Sequence, residues 1–303
     1  IPLSREGGEM RLNKLICISI ITGLASGCVN YQAVEDFGTA TGRFAGSYDP
    51  VFTGSYDTCL ETAEIKNIIM ELGQTPASSP MTQYTSDKEK CAPYKSEAGA
   101  FNQTSLALLD YSRALGLVVK RSELKGAFEN VQFVPQFSGV DENITETVTE
   151  LRGHEKDVVT VNQWKDYFTS FYVQKSPQEV VLENADRLEA TFSLLDAFSD
   201  IYREQLDNYE RNIKLLNTLL EDSESRDALK RSFVIDRSKE LDRRRAMLDN
   251  YDQALDAVEV SYKSIYERSE LSNPHYNDPI FQEDMKEFLI KITNLVQQSK
   301  IIS

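Results

Sequence analysis

Apolar residues recur through the second half of the chain in alternating steps of four and three. Leu188, Phe192, Leu195, Tyr202, Leu206, Tyr209, Ile213, Leu216 and Leu220 keep the series, with Ser199 filling one place in it. That spacing holds one stripe of a helix toward a neighbour, and its length predicts a coiled-coil-like arm. Phe198, Ile201, Leu215 and Leu219 widen the face, which predicts burial against more than one neighbour. A polar break at Glu221–Ser225 follows, and then Leu241, Arg244, Leu248, Tyr251, Leu255, Val258, Tyr262 and Ile265 repeat the steps. Folding back at the break gives an antiparallel hairpin over about 177–268, each arm roughly 60 Å long. Pairing outward from residue 223 sets Ile213 beside Phe233, Leu206 beside Leu241, Ser199 beside Leu248 and Phe192 beside Leu255. It also sets Arg237 against Tyr209 and Arg244 against Tyr202, where cation–π contact is available.

The hairpin has recognisable ends. Ser176 before Pro177 is a helix cap followed by a favoured first residue. Asn273-Pro274 breaks the second arm, and Asp278-Pro279 opens a last helix with Ile280, Phe281, Phe288, Leu289, Ile292, Leu295 and Val296 on its apolar face. Earlier in the chain, Tyr31, Val34, Phe37, Phe44 and Tyr48 mark a first helix, with Gly38 and Gly42 permitting close approach of a neighbour. Phe44–Asp49 is echoed by Phe52–Asp57. The echo reads either as a binding loop with two aromatic tips or, by preference, as two turns in which Asp49 and then Ser55 or Asp57 cap helices. A helix over 57–72 and another over 97–131 follow, the second with Phe101, Leu108, Tyr111, Leu115, Val118 and Val119 in its stripe and Ser105 in the gap. Residues 74–95, rich in Pro, Ser, Thr and Lys, predict the longest loop. Over 132–177 the signals are mixed: a short helix ending at Gly153, a brief strand at Val158–Val161, and an aromatic stripe of Trp164, Phe168, Phe171 and Tyr172. The fold class expected from all this is all-α, a helical bundle around the hairpin. Residues 28–135 form an N-terminal helical region and 136–303 hold the hairpin and the C-terminal helix.

The N-terminus changes the picture. Met10-Arg11-Leu12-Asn13-Lys14 is a short basic stretch, 15–24 is mostly apolar, and Ala25-Ser26-Gly27-Cys28 closes the segment. These are the three parts of a secretory signal, and the apolar run is too short to span a bilayer. Small residues directly before a cysteine resemble the lipobox of bacterial lipoprotein precursors, here with Ala25 where that family favours Leu. The resemblance covers residues 10–28. It implies a signal peptide over 10–27, cleavage before Cys28, and acyl chains on Cys28 that anchor the chain to a membrane. Val29 in place of an Asp after the cysteine implies the outer membrane if the host is Gram-negative. Residues 1–9 do not fit a signal, and codons for Gly7-Gly8-Glu9 can spell a ribosome-binding site, so Met10 is the expected start.

Residues 1–27 hold three of the 33 basic and two of the 48 acidic residues, leaving 30 against 46 from Cys28 onward. So acidic a body does not favour nucleic acid or anionic headgroups as partners. Of the four cysteines, the resemblance places Cys17 in the signal and implies lipid on Cys28. Cys59 and Cys91 remain, an expected disulfide in an exported chain, the alternative being two free thiols or a metal pair. His154 and His275 are the only histidines, and neither belongs to a metal-binding or nucleophile motif. No catalytic residue, metal site or cofactor is therefore expected. Two surfaces are candidates for a ligand or partner: the aromatics Trp164, Phe168 and Tyr172, which read more readily as core, and the basic run Arg243-Arg244-Arg245, which reads more readily as a solvated face among acidic neighbours. The expected function is binding or scaffolding of an envelope protein partner by a lipid-anchored chain, ahead of a small-ligand pocket between helices and, last, an envelope enzyme.

Overall fold

A computed structural model describes residues 31–72, 80–124, 164, 167, 175–222 and 228–302. The signal segment, Cys28, His154, Val158–Val161, Phe168, Phe171 and Tyr172 lie outside them. The described residues form helices and no strand, so the protein is an all-α helical bundle. Its elements are α1 (Gln32–Ala45), α2 (Asp49–Leu72), α3 (Pro80–Glu89), α4 (Ala92–Leu124), α5 (Pro177–Glu183), α6 (Ala185–Asp222), α7 (Ala228–Ser269) and α8 (Pro279–Ile302).

The hairpin is α6 packed antiparallel on α7. Every residue of the first predicted seam, Ser199 included, is buried, as are all those of the second except Arg244. The wider face is only half realised: Phe198 is buried but Leu215, toward the turn, stays exposed. The hairpin starts at the predicted cap, where Ser176 Oγ accepts from Glu179 N at 3.2 Å and Glu179 Oε2 accepts from Ser176 N at 2.7 Å. The first arm is not continuous, however. Asn184 interrupts it, buried, with its amide donating to Val180 O at 2.7 Å. At the far end Asp278 Oδ1 accepts from Ile280 N at 2.9 Å and opens α8 as expected, although the Ile280 side chain points to solvent.

Three further expectations are corrected. The register of the hairpin is shifted: Ser199 meets Asp252, Arg203 meets Asp249 at 3.1 Å, and Arg245 meets Asp207 at 2.6 Å. α6 runs to Asp222 and α7 begins at Ala228, and Ser199, expected beside Leu248, meets Asp252 four positions on. The two turns expected over 46–57 reduce to one, because α2 runs unbroken through Gly54, Ser55 and Asp57. Ser55 makes a lateral bond instead of a cap, Oγ donating to Gln205 Oε1 at 2.9 Å. Within the expected long loop, residues 80–89 are helical and pack chiefly on α2. The Cys59–Cys91 disulfide is present, with a Cα–Cα distance of 5.7 Å, and joins α2 to the entry of α4.

One core is shared by all these helices except α3, none of whose described residues belongs to it. At its centre the Tyr251 ring lies 5.4 Å from Phe44, 5.3 Å from Tyr48 and 5.9 Å from Phe101, and its hydroxyl donates to Leu195 O at 3.2 Å. That one residue ties α7 to α1, α4 and α6. Glycine permits the tight seating of α1 on α4: a Cβ on Gly42 would stand 2.5 Å from Ser112 Oγ.

α1 and α2 together run the length of the hairpin, antiparallel to α7. Tyr31 packs tilted against Tyr276 at 5.7 Å, Phe37 tilted against Tyr262 at 6.3 Å, and Phe44 stacks on Tyr251. Farther along, Thr58 and Glu61 reach Arg244, and Glu64 reaches Arg237. The bundle therefore has two distinct ends. The base carries Tyr31 and the 270–279 connection; the tip carries the hairpin turn, about 60 Å away at the rise of the 42-residue α7.

Candidate functional site

The basic run of α7 divides three ways. Arg243 pairs with Glu240 at 2.8 Å on the surface. Arg245 reaches back to α6, to Asp207 at 2.6 Å and Glu210 at 2.8 Å. Arg244 turns inward and is the hub of a network. Its two terminal nitrogens donate to Glu61 Oε2 at 2.9 Å and Oε1 at 3.0 Å, a bidentate pair. Its Nε donates to Glu240 at 2.8 Å, Nη1 also donates to Thr58 Oγ1 at 2.7 Å, and the guanidinium lies 6.0 Å from the Tyr209 ring centre. Arg237 joins through Glu61 at 2.7 Å and Glu64 at 3.4 Å. The expected partners of these two arginines were tyrosines one step along: Arg244 sits over Tyr209 rather than Tyr202, and Arg237 over Phe233 at 5.0 Å.

The carboxylates completing this network, Glu61 and Glu64, were not singled out from the sequence. They stand more than 170 positions from their arginines, so no local pattern links them. The available signal was the polar face Thr58-Glu61-Glu64 at helical spacing beside the apolar stripe of Ile65, Ile68, Ile69 and Leu72. Chemically the network is an ion-paired seam. Burial pushes the phenols of Tyr202 and Tyr209 up, so both remain protonated, and Arg244 is held ionised by Glu61 against its own burial.

Two shallow clefts lie along α2, the first of them against the seam. One, of about 160 Å³, is lined by Gly54, Asp57, Tyr202, Arg243, Arg244 and Met247 among others. The other, of about 180 Å³, lies beside the disulfide and is lined by Lys66, Asp87, Lys90, Tyr94 and Gln205 among others. Both fall short of the roughly 300 Å³ at which pockets for drug-sized molecules begin. The first is closed by contact of α2 on α6, where a Cβ on Gly54 would stand 2.7 Å from Tyr202 Oη. The Tyr202 ring is buried, so yielding to that Cβ would disturb its packing. Gly54→Ala is expected to destabilise by about 1 kcal/mol, overpacking outweighing the better helix propensity of Ala. Urea unfolding of Gly54→Ala in native and Tyr202→Phe backgrounds checks this, since equal losses in both would clear the hydroxyl.

Trp164 is fully buried, its Nε1 donating to Thr191 Oγ1 at 2.8 Å and its ring 5.5 Å from Tyr111 and 6.0 Å from Tyr167. Tyr167 in turn carries Arg187 over its face at 4.9 Å. The structure thus sets Trp164 in the core between α4 and α6, well apart in sequence and partners from the arginine seam. His275 is exposed at the base and its carbonyl accepts from Arg268 at 2.9 Å. Among the described residues no three His, Cys, Asp or Glu side chains form a group that could hold a metal ion. No described helix is long and apolar enough to cross a membrane. No protein-family model, curated protein or solved structure matches the chain.

Proposed function

We propose that this is a lipid-anchored cell-envelope protein that binds or scaffolds an envelope protein partner through its helical surfaces, with acyl chains on Cys28. One observation carries the reading beyond the signal-like N-terminus. Tyr31, three residues after Cys28, packs against Tyr276 at the base, the end opposite the hairpin turn. Anchoring there leaves the arms free to reach about 60 Å from the bilayer. Two or more acyl chains hold a protein of this size firmly without a spanning helix. Leu215 and Ile235, both exposed and both on the turn-ward part of the arms, offer apolar contact where a partner would arrive. The acidic charge of the body opposes nucleic acid as that partner.

The test is affinity purification with crosslinking from the host envelope, comparing the native chain with Cys28→Ala. The native chain is expected in the membrane fraction with a specific crosslinked partner. Cys28→Ala is expected to leave that fraction and to lose most of the crosslink. Retention of Cys28→Ala in the membrane at native levels would overturn the anchor. Absence of any specific partner would overturn the scaffold.

A further inference from the structure

The base exposes two large aliphatic side chains on either side of the connection from α7 to α8. Leu271 is 50% and Ile280 74% solvent-exposed. Exposed aliphatics are ordinary on protein surfaces, but this connection is not loose. Gln178 Nε2 donates to Ser269 O at 2.6 Å and to Leu271 O at 3.2 Å. Arg268 donates to His275 O at 2.9 Å, pairs with Asp278 at 3.2 Å and covers the Phe281 ring at 4.1 Å. Tyr276 is buried, with its hydroxyl 2.6 Å from Ser269 Oγ and its ring against Tyr31. The backbone is thus fixed from several sides while the two apolar side chains project from it.

We propose that this face sits on the bilayer surface, with Leu271 and Ile280 inserted among the headgroups; the proposal rests on the acyl anchor at Cys28. The argument for lipid as the occupant is chain length. Only Val29 and Asn30 separate Cys28 from Tyr31, so the acylated cysteine lies within about 11 Å of the Tyr31 backbone. Tyr31 touches the same connection that presents Leu271 and Ile280. A tether so short keeps the face at millimolar effective concentration beside the membrane, where weak apolar contacts suffice to orient the body. Insertion of these side chains stands the hairpin away from the surface. The charges around the face choose the lipid. Glu267, Glu270, Glu283 and Asp284 are exposed close in sequence to Leu271 and Ile280, against Lys286, which pairs with Glu283 at 3.9 Å, and Arg268, which is occupied by Asp278. A zwitterionic surface accepts such a face better than an anionic one.

Tryptophan quenching by lipids brominated in their acyl chains tests the contact. Leu271→Trp and Ile280→Trp would be made in the chain from Cys28, which retains every described helix, with Leu215→Trp and Ile235→Trp as tip controls. Coupling the Cys28 thiol to a maleimide-bearing lipid in phosphatidylcholine vesicles supplies the anchor chemically. Trp164, buried in the core, gives a constant background. The emission added at 271 and 280 is expected to fall by about half, the depth of an interfacial side chain. The tip variants are expected to keep theirs, and phosphatidylglycerol in the vesicles is expected to weaken the quenching. Unquenched emission at 271 and 280 would overturn the insertion, as would equal quenching at all four positions, which describes a molecule lying flat. Mass spectrometry of the protein from its host envelope reads the anchor separately. An unmodified Cys28 would overturn the anchored reading, whereas failed quenching beside an acylated Cys28 would overturn the insertion alone.

Discussion

Arg244→Ala is expected to lower the unfolding free energy by about 3 kcal/mol, while Arg243→Ala and Arg245→Ala each cost under about 1 kcal/mol. Three adjacent residues of one type separate because of where their partners lie. The Arg244 side chain is 11% exposed and Glu61 only 17%, and the pair is bidentate. Removing the guanidinium takes the bidentate pair from Glu61, which keeps only Arg237, and a donor each from Thr58 and Glu240, and thinning the partners of a partly buried carboxylate is costly. Arg243 and Arg245 keep their carboxylates near water, where solvent replaces what the mutation removes. For a chain of this size the Arg244 loss corresponds to roughly 6 to 12 °C in Tm. Arg244→Lys is expected to recover only part of it, because an ammonium cannot serve both oxygens of Glu61 and reach Glu240 as well.

The same network gives the expectation a sign in pH. Burial works against ionisation of Glu240, but the hydrogen bonds and charges of Arg243 and Arg244 outweigh it and hold the carboxyl below its ordinary range. A depressed folded pKa contributes stability that is present above the unfolded Glu value and lost as pH falls through the folded one. Arg244→Ala should therefore flatten the acid limb of the stability curve as well as lower its plateau. Urea unfolding of the three alanine variants across the acid range checks both. Equal losses at all three positions would mean that the run acts as surface charge and not through α2.

The contrast among these arginines also marks how far the sequence could be read. The seam from Leu188 to Leu220 was legible because a helix turns a strict four-three series into one buried stripe, and all of it is buried. Ser176-Pro177 and Asp278-Pro279 were legible because caps are local chemistry. The register was not. A series that repeats every seven residues looks the same after a slip along it, so the apolar pattern leaves the alignment open. The polar cross-pairs Ser199–Asp252, Arg203–Asp249 and Arg245–Asp207 align the arms. Whether Arg244 faces Tyr202 or Tyr209 was thus beyond reach, and Glu61 lay on a helix whose place beside the hairpin no local signal gave.

Two misreadings have a common cause. Ser55 and Asp57 carry the chemistry of a cap, yet Ser55 has a better use in the bond to Gln205, and α2 continues past it. Residues 80–89 have a loop composition with almost no apolar stripe, yet tertiary contact with α2 holds them helical. In both places a neighbour distant in sequence overrides local propensity. α3 is the extreme case, since it packs chiefly on one helix and lies within the loop closed by the disulfide.

Reducing the Cys59–Cys91 disulfide is accordingly expected to remove about 3 to 4 kcal/mol of stability, and to loosen α3 before the bundle melts. The first figure follows from the 32-residue separation of the cysteines, whose release returns loop-closure entropy to the unfolded chain, worth about 3 to 4 kcal/mol. The second follows from packing. α6 and α7 are held by a continuous buried seam and by Tyr251, none of which involves the disulfide. α3 has its contact with α2 and the staple at Cys91, just beyond its end. Hydrogen exchange over 80–89 should therefore accelerate sharply on reduction, while exchange in the centres of α6 and α7 keeps its order. Urea unfolding of the native chain with and without a phosphine reductant, and of the double variant Cys59→Ala/Cys91→Ala, measures the global loss. The variant and the reduced chain should agree; a reduced chain as stable as the oxidised one would mean that α2 and α4 already close this loop without the bond. The staple also ties the fold to its redox surroundings. An oxidising compartment keeps such a bond closed and a reducing cytosol does not, so protein expressed in a reducing cytosol should show the α3 exchange of the reduced form.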